Sequence, residues 1–110
     1  MENKTPWYLK EFSDYDAELY VPRGWEDNSW HNNACPHAEK SQGMYTACIF
    51  QDYKSEDLRE DKYREERFVC CVHHEDANAN VYPNIVYEVL TDDIEVVKKF
   101  VEEVEQRYFS

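Results

Sequence analysis

The C-terminal segment of this 110-residue chain constrains the fold most, because its apolar side chains recur at steps of three and four residues. The apolar stripe comprises Ile94, Val97, Val101, Val104 and Tyr108, and it is widened by Val96 and Phe100. This spacing places the stripe on one face of an amphipathic helix. Asp92 and Glu95 are spaced as in a capping box at its start. The pattern predicts a helix over 92–108 whose apolar face covers another apolar surface.

Three segments before this helix have the composition of strands. Residues 43–53, 67–75 and 81–90 are rich in Val, Ile, Tyr, Phe and Thr, which favour strands. Turn-forming residues at 75–80 predict an antiparallel hairpin between the second and third segments. Pro83 cannot donate a ladder hydrogen bond, so that end of the third strand is expected at an edge or bulge. The predicted fold class is α+β: a small antiparallel sheet of three or more strands, with one long C-terminal helix packed on one face.

In the rest of the chain, apolar residues follow neither the helical repeat nor the alternation of a strand. Residues 1–37 are expected to form an irregular, aromatic-rich N-terminal lobe, with a short helix at most and several rings packed on the sheet. Residues 55–66 contain six acidic and three basic side chains. They predict a solvated loop or a short exposed helix, in which Glu60 and Arg64 are spaced for an i,i+4 pair. A chain of this length is expected to form a single domain, 1–110.

The stretch SWHNNACPH precedes the first predicted strand. Asn32 and Asn33 tolerate turn conformations and hydrogen-bond to nearby backbone. Pro36 fixes its own φ and biases Cys35 toward an extended conformation. We interpret the stretch as a rigid loop that Trp30 anchors to the core.

A structural zinc site is one alternative interpretation of the cysteines and histidines. It would need four nitrogen or sulfur ligands: His31, Cys35, either Cys70 or Cys71, and either His73 or His74. Of these, the candidate set is His31, Cys35, Cys71 and His73. The spacing disfavours this set, because the chain has no C-x2-C or H-x3-H pair. Cys70 and Cys71 would also point to opposite faces of a strand, so no disulfide is expected between them.

A thiol nucleophile is the enzymatic alternative. Cys35 would supply the thiolate, with His31 or His37 as the base. The acidic surroundings disfavour it, because nearby negative charge raises a thiol pKa. The chain also has no Walker loop, Rossmann fingerprint, HExxH or GxSxG motif. The expectation is a non-catalytic protein without a cofactor.

The formal net charge of −12 limits the classes of partner. It argues against direct binding to nucleic-acid phosphates and to anionic membrane surfaces, whereas a basic protein would be attracted. No apolar run approaches the roughly 18 residues of a membrane span, and the N-terminus has no hydrophobic signal core. We therefore expect a cytoplasmic protein whose four cysteines are reduced thiols.

A further pattern in the chain comprises Trp30, His31, Asn32, Asn33, Cys35 and Pro36, followed by Arg67 and Phe68. On these residues, part of the chain resembles a family of small uncharacterised phage and prophage proteins. In that family a Trp-(His/Arg)-Asn-(Asp/Asn)-x-Cys-Pro segment precedes a strand, an acidic stretch and a strand that begins Arg-aromatic. The resemblance covers residues 25–73, although Asp is more usual at Asn33 and Ser at His37. It implies a phage-type origin and no established activity.

These features together predict a non-catalytic acidic binding protein. It would present a nucleic-acid-like negative surface to a basic host protein such as a defence nuclease. The residues expected to bind the partner are Trp30, His31, Asn32, Glu56, Asp57, Glu60, Asp61, Glu65 and Glu66. A zinc-binding or thiol-dependent protein remains the alternative, and a homodimer through a sheet edge or the aromatic N-terminus is left open.

Overall fold

The structure is a computed structural model that describes residues 5–60, 66–75 and 84–110. Within these ranges the chain forms two α-helices, five β-strands and a 3-10 turn at Glu56–Leu58. In chain order the elements are α1 (Trp7–Glu11), β1 (Glu26–Asp27), β2 (His37–Gln42), β3 (Tyr45–Gln51), β4 (Phe68–His74), β5 (Asn84–Thr91) and α2 (Ile94–Arg107). The predicted α+β class, with an antiparallel sheet and a long C-terminal helix, is confirmed.

The described strands form one antiparallel meander in the order β1-β2-β3-β4-β5. In β3 and β4 the residues of one face are fully buried, including Ala47, Ile49, Cys70 and Val72. Their neighbours in sequence point to the other face, because side chains alternate along a strand. Each segment predicted as a strand contains all or most of one strand of the sheet, β3, β4 or β5, and the first three residues of 81–90 lie outside the described ranges.

Helix α2 covers the buried face of the sheet. Val97, Phe100 and Val104 are at most 2% exposed and join the core formed by β3 and β4. The Asp93 carboxylate caps the helix by accepting a hydrogen bond from the Glu95 backbone N–H at 2.9 Å. The predicted cap at Asp92 is therefore displaced by one residue. Asp92 instead accepts a hydrogen bond from the backbone N–H of Arg67, just before β4.

Strand β2 was not predicted, because its sequence HAEKSQ has little apolar character. Its stability comes from distant partners. Lys40 contacts both carboxylate oxygens of Glu105 on α2 at 2.8 and 2.9 Å, and Gln42 donates to the carbonyl of Phe109. The hairpin from β2 to β3 turns at Gly43, whose φ of +61° suits glycine.

The chain before β2 contributes aromatic side chains to two clusters. Trp25 belongs to the main core, whereas Phe12 and Tyr15 pack with Tyr53 in a second cluster. The fully buried Gln51 of β3 links this segment to the sheet through its side-chain amide.

Some predictions fall outside the described residues. These are the turn over 76–80, the edge position of Pro83 and the pairing of Glu60 with Arg64. Among the helices that the structure describes, none has the length and apolar character to cross a membrane.

Candidate functional site

The loop between β1 and β2 is held to the body of the protein by Ser29, which is 2% exposed. Ser29 Oγ accepts a hydrogen bond from the backbone N–H of His37 at 3.1 Å, and its carbonyl accepts one from Trp7 Nε1 at 2.8 Å. Cys35 and Pro36 are buried at the other end of the loop. The loop is therefore fixed at both ends.

Trp30 does not anchor this loop, which corrects the sequence interpretation. Its side chain is 48% exposed, and its ring lies 4.3 Å from the His31 ring, centroid to centroid. Because Ser29 and Pro36 already occupy the buried positions, the indole projects outward. Trp7 is also 48% exposed, and it donates a hydrogen bond to Ser29, the residue that precedes Trp30. We name Trp7, Trp30 and His31 the aromatic patch.

An acidic side chain borders the aromatic patch. Glu11 Oε1 lies 3.1 Å from His31 Nδ1 and accepts a hydrogen bond from the His31 backbone N–H at 3.2 Å. Asn32, the third predicted loop residue, is also exposed. The loop and α1 therefore expose two indoles and an imidazole, beside a Glu11 carboxylate whose side chain is 13% exposed.

The acidic connection after β3 lies against the N-terminal segment. The Asp16 carboxylate accepts hydrogen bonds from the backbone N–H groups of Lys54 and Ser55, both at 2.8 Å. Desolvation opposes ionisation of Asp16, but these two hydrogen bonds outweigh it and lower its pKa. The 3-10 turn that follows is fixed by Arg59, which donates to the carbonyl of Tyr53 at 2.8 Å.

Of the predicted acidic residues, Glu56, Asp57 and Glu60 are exposed and Glu66 is half-buried. Asp61 and Glu65 lie outside the described residues. Glu11, which contacts the loop, and Asp16, which contacts the acidic connection, are only five positions apart in sequence. Five residues span at most about 18 Å, so the two contact points are close enough for one protein interface.

A second group of functional side chains lies on the sheet face opposite α2. Cys71 Sγ is 3.2 Å from His73 Nε2, and Cys71 is the direct ladder partner of Cys48 on β3. Cys48 Sγ is in turn 3.6 Å from Glu39 Oε1. As predicted, Cys70 points the other way, into the core under α2.

Cys71 and His73 line a cavity of about 340 Å³ between the sheet and the loop. Cys35 lines the same cavity, so three members of the predicted zinc set are brought to one place. The fourth, His31, points to Glu11 instead. Within residues 5–60, 66–75 and 84–110, no group of three or more histidine, cysteine or acidic side chains could hold a metal ion.

The two ladder-paired thiols differ in their electrostatics. A hydrogen bond from Cys48, together with the charge and hydrogen bond of His73, lowers the pKa of Cys71 to about 7, against the effects of burial and of Glu88. The same hydrogen bond, with burial, raises the pKa of Cys48. Burial raises the pKa of Cys70 to about 12. Cys71 is therefore the thiol most easily ionised of these three.

The two histidines proposed as bases for Cys35 each contact a glutamate. His37 Nε2 lies 3.3 Å from Glu39 Oε1, and His31 Nδ1 contacts Glu11. Sequence reasoning missed Trp7, Glu11 and Cys48, which lie 20 or more residues from their partners in these sites. The one available signal was alternation, which places Cys48 and Cys71 on fixed faces of their strands.

Comparison with known proteins adds no relative. No protein-family model matches the chain, and neither the curated proteins nor the solved structures gave a significant match.

Proposed function

We propose that this protein is a non-catalytic binding protein whose aromatic patch and surrounding acids receive a basic segment of a partner protein. The observation that most supports this proposal is a pair of tryptophans, each 48% exposed, in a protein of net charge −12: Trp30 follows Ser29 in sequence, and Trp7 donates a hydrogen bond to the Ser29 carbonyl. Exposed apolar groups that cluster, rather than lie scattered, typically mark interaction sites.

The chemistry of the aromatic patch favours arginine or lysine as the group recognised. A guanidinium over an exposed indole contributes about 0.5–2 kcal/mol by cation–π attraction. Glu11, whose side chain is 13% exposed and contacts His31, adds negative charge beside the same site. Tryptophan and arginine are also the residues most enriched at energetic hot spots of protein interfaces.

The acidic connection would extend the same surface. Glu56, Asp57 and Glu60 are exposed, and the hydrogen bonds to Asp16 hold their segment against the chain that carries Glu11. We propose that the residues before β2 act as an irregular aromatic-rich lobe that joins the two parts of the surface. Negative charge over such a surface accelerates encounter with a basic partner.

The proposed partner is a cytoplasmic host protein whose basic groove otherwise holds nucleic acid, such as a defence nuclease. Carboxylates would occupy the positions of phosphates along that groove. The resemblance of residues 25–73 to phage and prophage proteins supports a host target of this kind.

Binding of a labelled arginine-rich peptide, measured by fluorescence anisotropy over a range of salt concentrations, tests the proposal. We expect Trp30→Ala to weaken binding by about two- to thirtyfold, the equivalent of one cation–π contact. The combined variant Glu56→Gln and Asp57→Asn should weaken binding and reduce its dependence on salt.

The control is a variant with the same charge change on α2, Glu95→Gln combined with Glu102→Gln. It should bind the peptide more tightly than the variant in the acidic connection does. Equal losses in the two double variants, with no effect of Trp30→Ala, would show that the peptide responds only to net charge and would contradict the proposed surface.

A further inference from the structure

We propose that Cys71 and Cys48 form a thiol-oxidation site in which a small hydroperoxide entering the cavity beside β4 converts the two thiols to a reversible disulfide. This site lies on the sheet face opposite α2 and does not depend on the proposed binding surface. The inference comes from the ladder register, the contact with His73 and the cavity.

The ladder places the two thiols within reach of a disulfide. Cys48 and Cys71 are directly opposed in the antiparallel pair β3–β4. Opposed residues in such a pair have Cα atoms about 4.5–5.5 Å apart, within the range of about 4.4–6.8 Å that disulfides require. Residues directly opposed in a ladder project to the same face of the sheet, so the two side chains are neighbours on that face.

The surroundings of Cys71 favour its thiolate. His73 Nε2 lies 3.2 Å from Cys71 Sγ, and hydrogen bonds from Cys48 and His73 lower the pKa of Cys71. Burial, and to a smaller extent the charge of Glu88 on β5, act in the opposite direction, and the pKa lies at about 7. A thiolate of this kind, rather than a neutral thiol, attacks peroxides.

Access distinguishes Cys71 from the neighbouring Cys70. Cys71 lines the cavity of about 340 Å³, together with His73, Cys35 and Glu88. Cys70 is fully buried beneath α2, on the other face of the same strand. Cys71 is itself only 4% exposed, so the cavity is the route by which a small oxidant would reach it, whereas Cys70 is 0% exposed.

The reaction balances without a further oxidant. His73 takes the thiol proton of Cys71, and the thiolate attacks one oxygen of the hydroperoxide, which breaks the O–O bond and forms a sulfenic acid. The departing oxygen takes the proton back from His73 and leaves as water when the oxidant is hydrogen peroxide. The Cys48 sulfur then attacks the sulfenic sulfur, which forms the S–S bond and breaks the S–O bond, and the Cys48 proton joins the departing hydroxyl to give a second water. Two thiols lose two electrons and the peroxide gains two, and a small thiol such as glutathione reverses the step.

The test uses the full chain treated with hydrogen peroxide and mapped by mass spectrometry without reduction. We expect one cross-linked peptide pair that joins Cys48 to Cys71, and its loss on treatment with a small thiol. In Cys48→Ser the reaction should stop at a sulfenic acid on Cys71, which dimedone traps. Cys70→Ser is the matched control and should still form the cross-link.

The variant His73→Gln separates the role of the imidazole from folding. Alkylation of Cys71 near neutral pH should slow about three- to tenfold, and its pH profile should move to higher pH, while circular dichroism stays unchanged. The proposal is overturned if peroxide leaves Cys71 reduced while Cys35 is oxidised, or if Cys48→Ser yields no dimedone adduct at Cys71.

Discussion

Gln51 offers the sharpest test of how the N-terminal segment is attached to the sheet. Its side chain is 1% exposed, and its amide makes two hydrogen bonds to the backbone of Tyr20. The amide oxygen accepts from the Tyr20 N–H at 2.8 Å, and the amide nitrogen donates to the Tyr20 carbonyl at 2.7 Å. The pairing copies one rung of a β-ladder with a side chain.

Gln51→Glu replaces the amide with an isosteric group whose hydrogen-bonding capacity depends on pH. A protonated carboxyl can still donate to the Tyr20 carbonyl, whereas a carboxylate cannot and would face that oxygen with a buried charge. The folded state therefore raises the pKa of the introduced carboxyl. Its full contribution to stability is present below its ordinary pKa and is lost as pH rises through the folded value.

The largest possible loss follows from the ordinary pKa of glutamate. Neutral pH lies about 2.7 pH units above that pKa, and each unit corresponds to about 1.36 kcal/mol. Keeping the carboxyl protonated at neutral pH therefore costs about 3.7 kcal/mol. This value is the upper limit of the pH-dependent loss in the free energy of unfolding, because the folded protein adopts whichever of the protonated and ionised forms is lower in free energy. Near pH 4 both hydrogen bonds are retained, and the expected loss is within about 1 kcal/mol.

Urea unfolding of the variant and the wild type, followed at several pH values between about 4 and 7, measures this difference. Gln106→Glu, at an exposed position of α2, controls for the added negative charge in a protein of net charge −12. We expect the loss in Gln51→Glu to grow with pH and the loss in Gln106→Glu to stay small. A loss in Gln51→Glu that is constant with pH, or largest at acid pH, would refute the reasoning.

Three further predictions concern stability, each measured by urea unfolding. Phe100→Ala should cost about 3–5 kcal/mol, because the ring is 2% exposed and stacks on Tyr87; a loss below about 1 kcal/mol would mean that α2 does not seal the core. Gly43→Ala should lower the free energy of unfolding by about 1 kcal/mol, because φ is +61° and an added Cβ meets nothing within 4 Å. Gly43→Asn should lower it less, because asparagine adopts positive φ more readily, and equal losses would contradict a purely conformational origin. Lys40→Met should lower the free energy of unfolding by at most about 1 kcal/mol, and by less at high salt, because its ion-pair partner Glu105 is partly exposed. A loss that does not change with salt would show that Lys40 stabilises the fold by packing instead.

Parts of the candidate sites could be predicted from sequence and parts could not. Trp30 and His31 were identified as a binding element, but the exposure of Trp30 depends on Ser29 taking the buried position, which no local pattern signals. Trp25 and Trp30 are only five positions apart, and both lie in a polar stretch of the sequence, yet Trp25 is 6% exposed and Trp30 is 48% exposed. Burial of a single ring depends on which distant residues pack against it.

The sequence by itself determined α2 and the strands β3 and β4, because their signals are local: a helical repeat of apolar residues and runs of β-branched and aromatic side chains. Alternation also placed Cys70 and Cys71 on opposite faces. The tertiary structure decided the polar strand β2, which depends on Glu105 and Phe109 far along the chain, and the pairing of Cys48 with Cys71. Both depend on the register between segments, and register is set by the packing of the whole sheet rather than by any one segment.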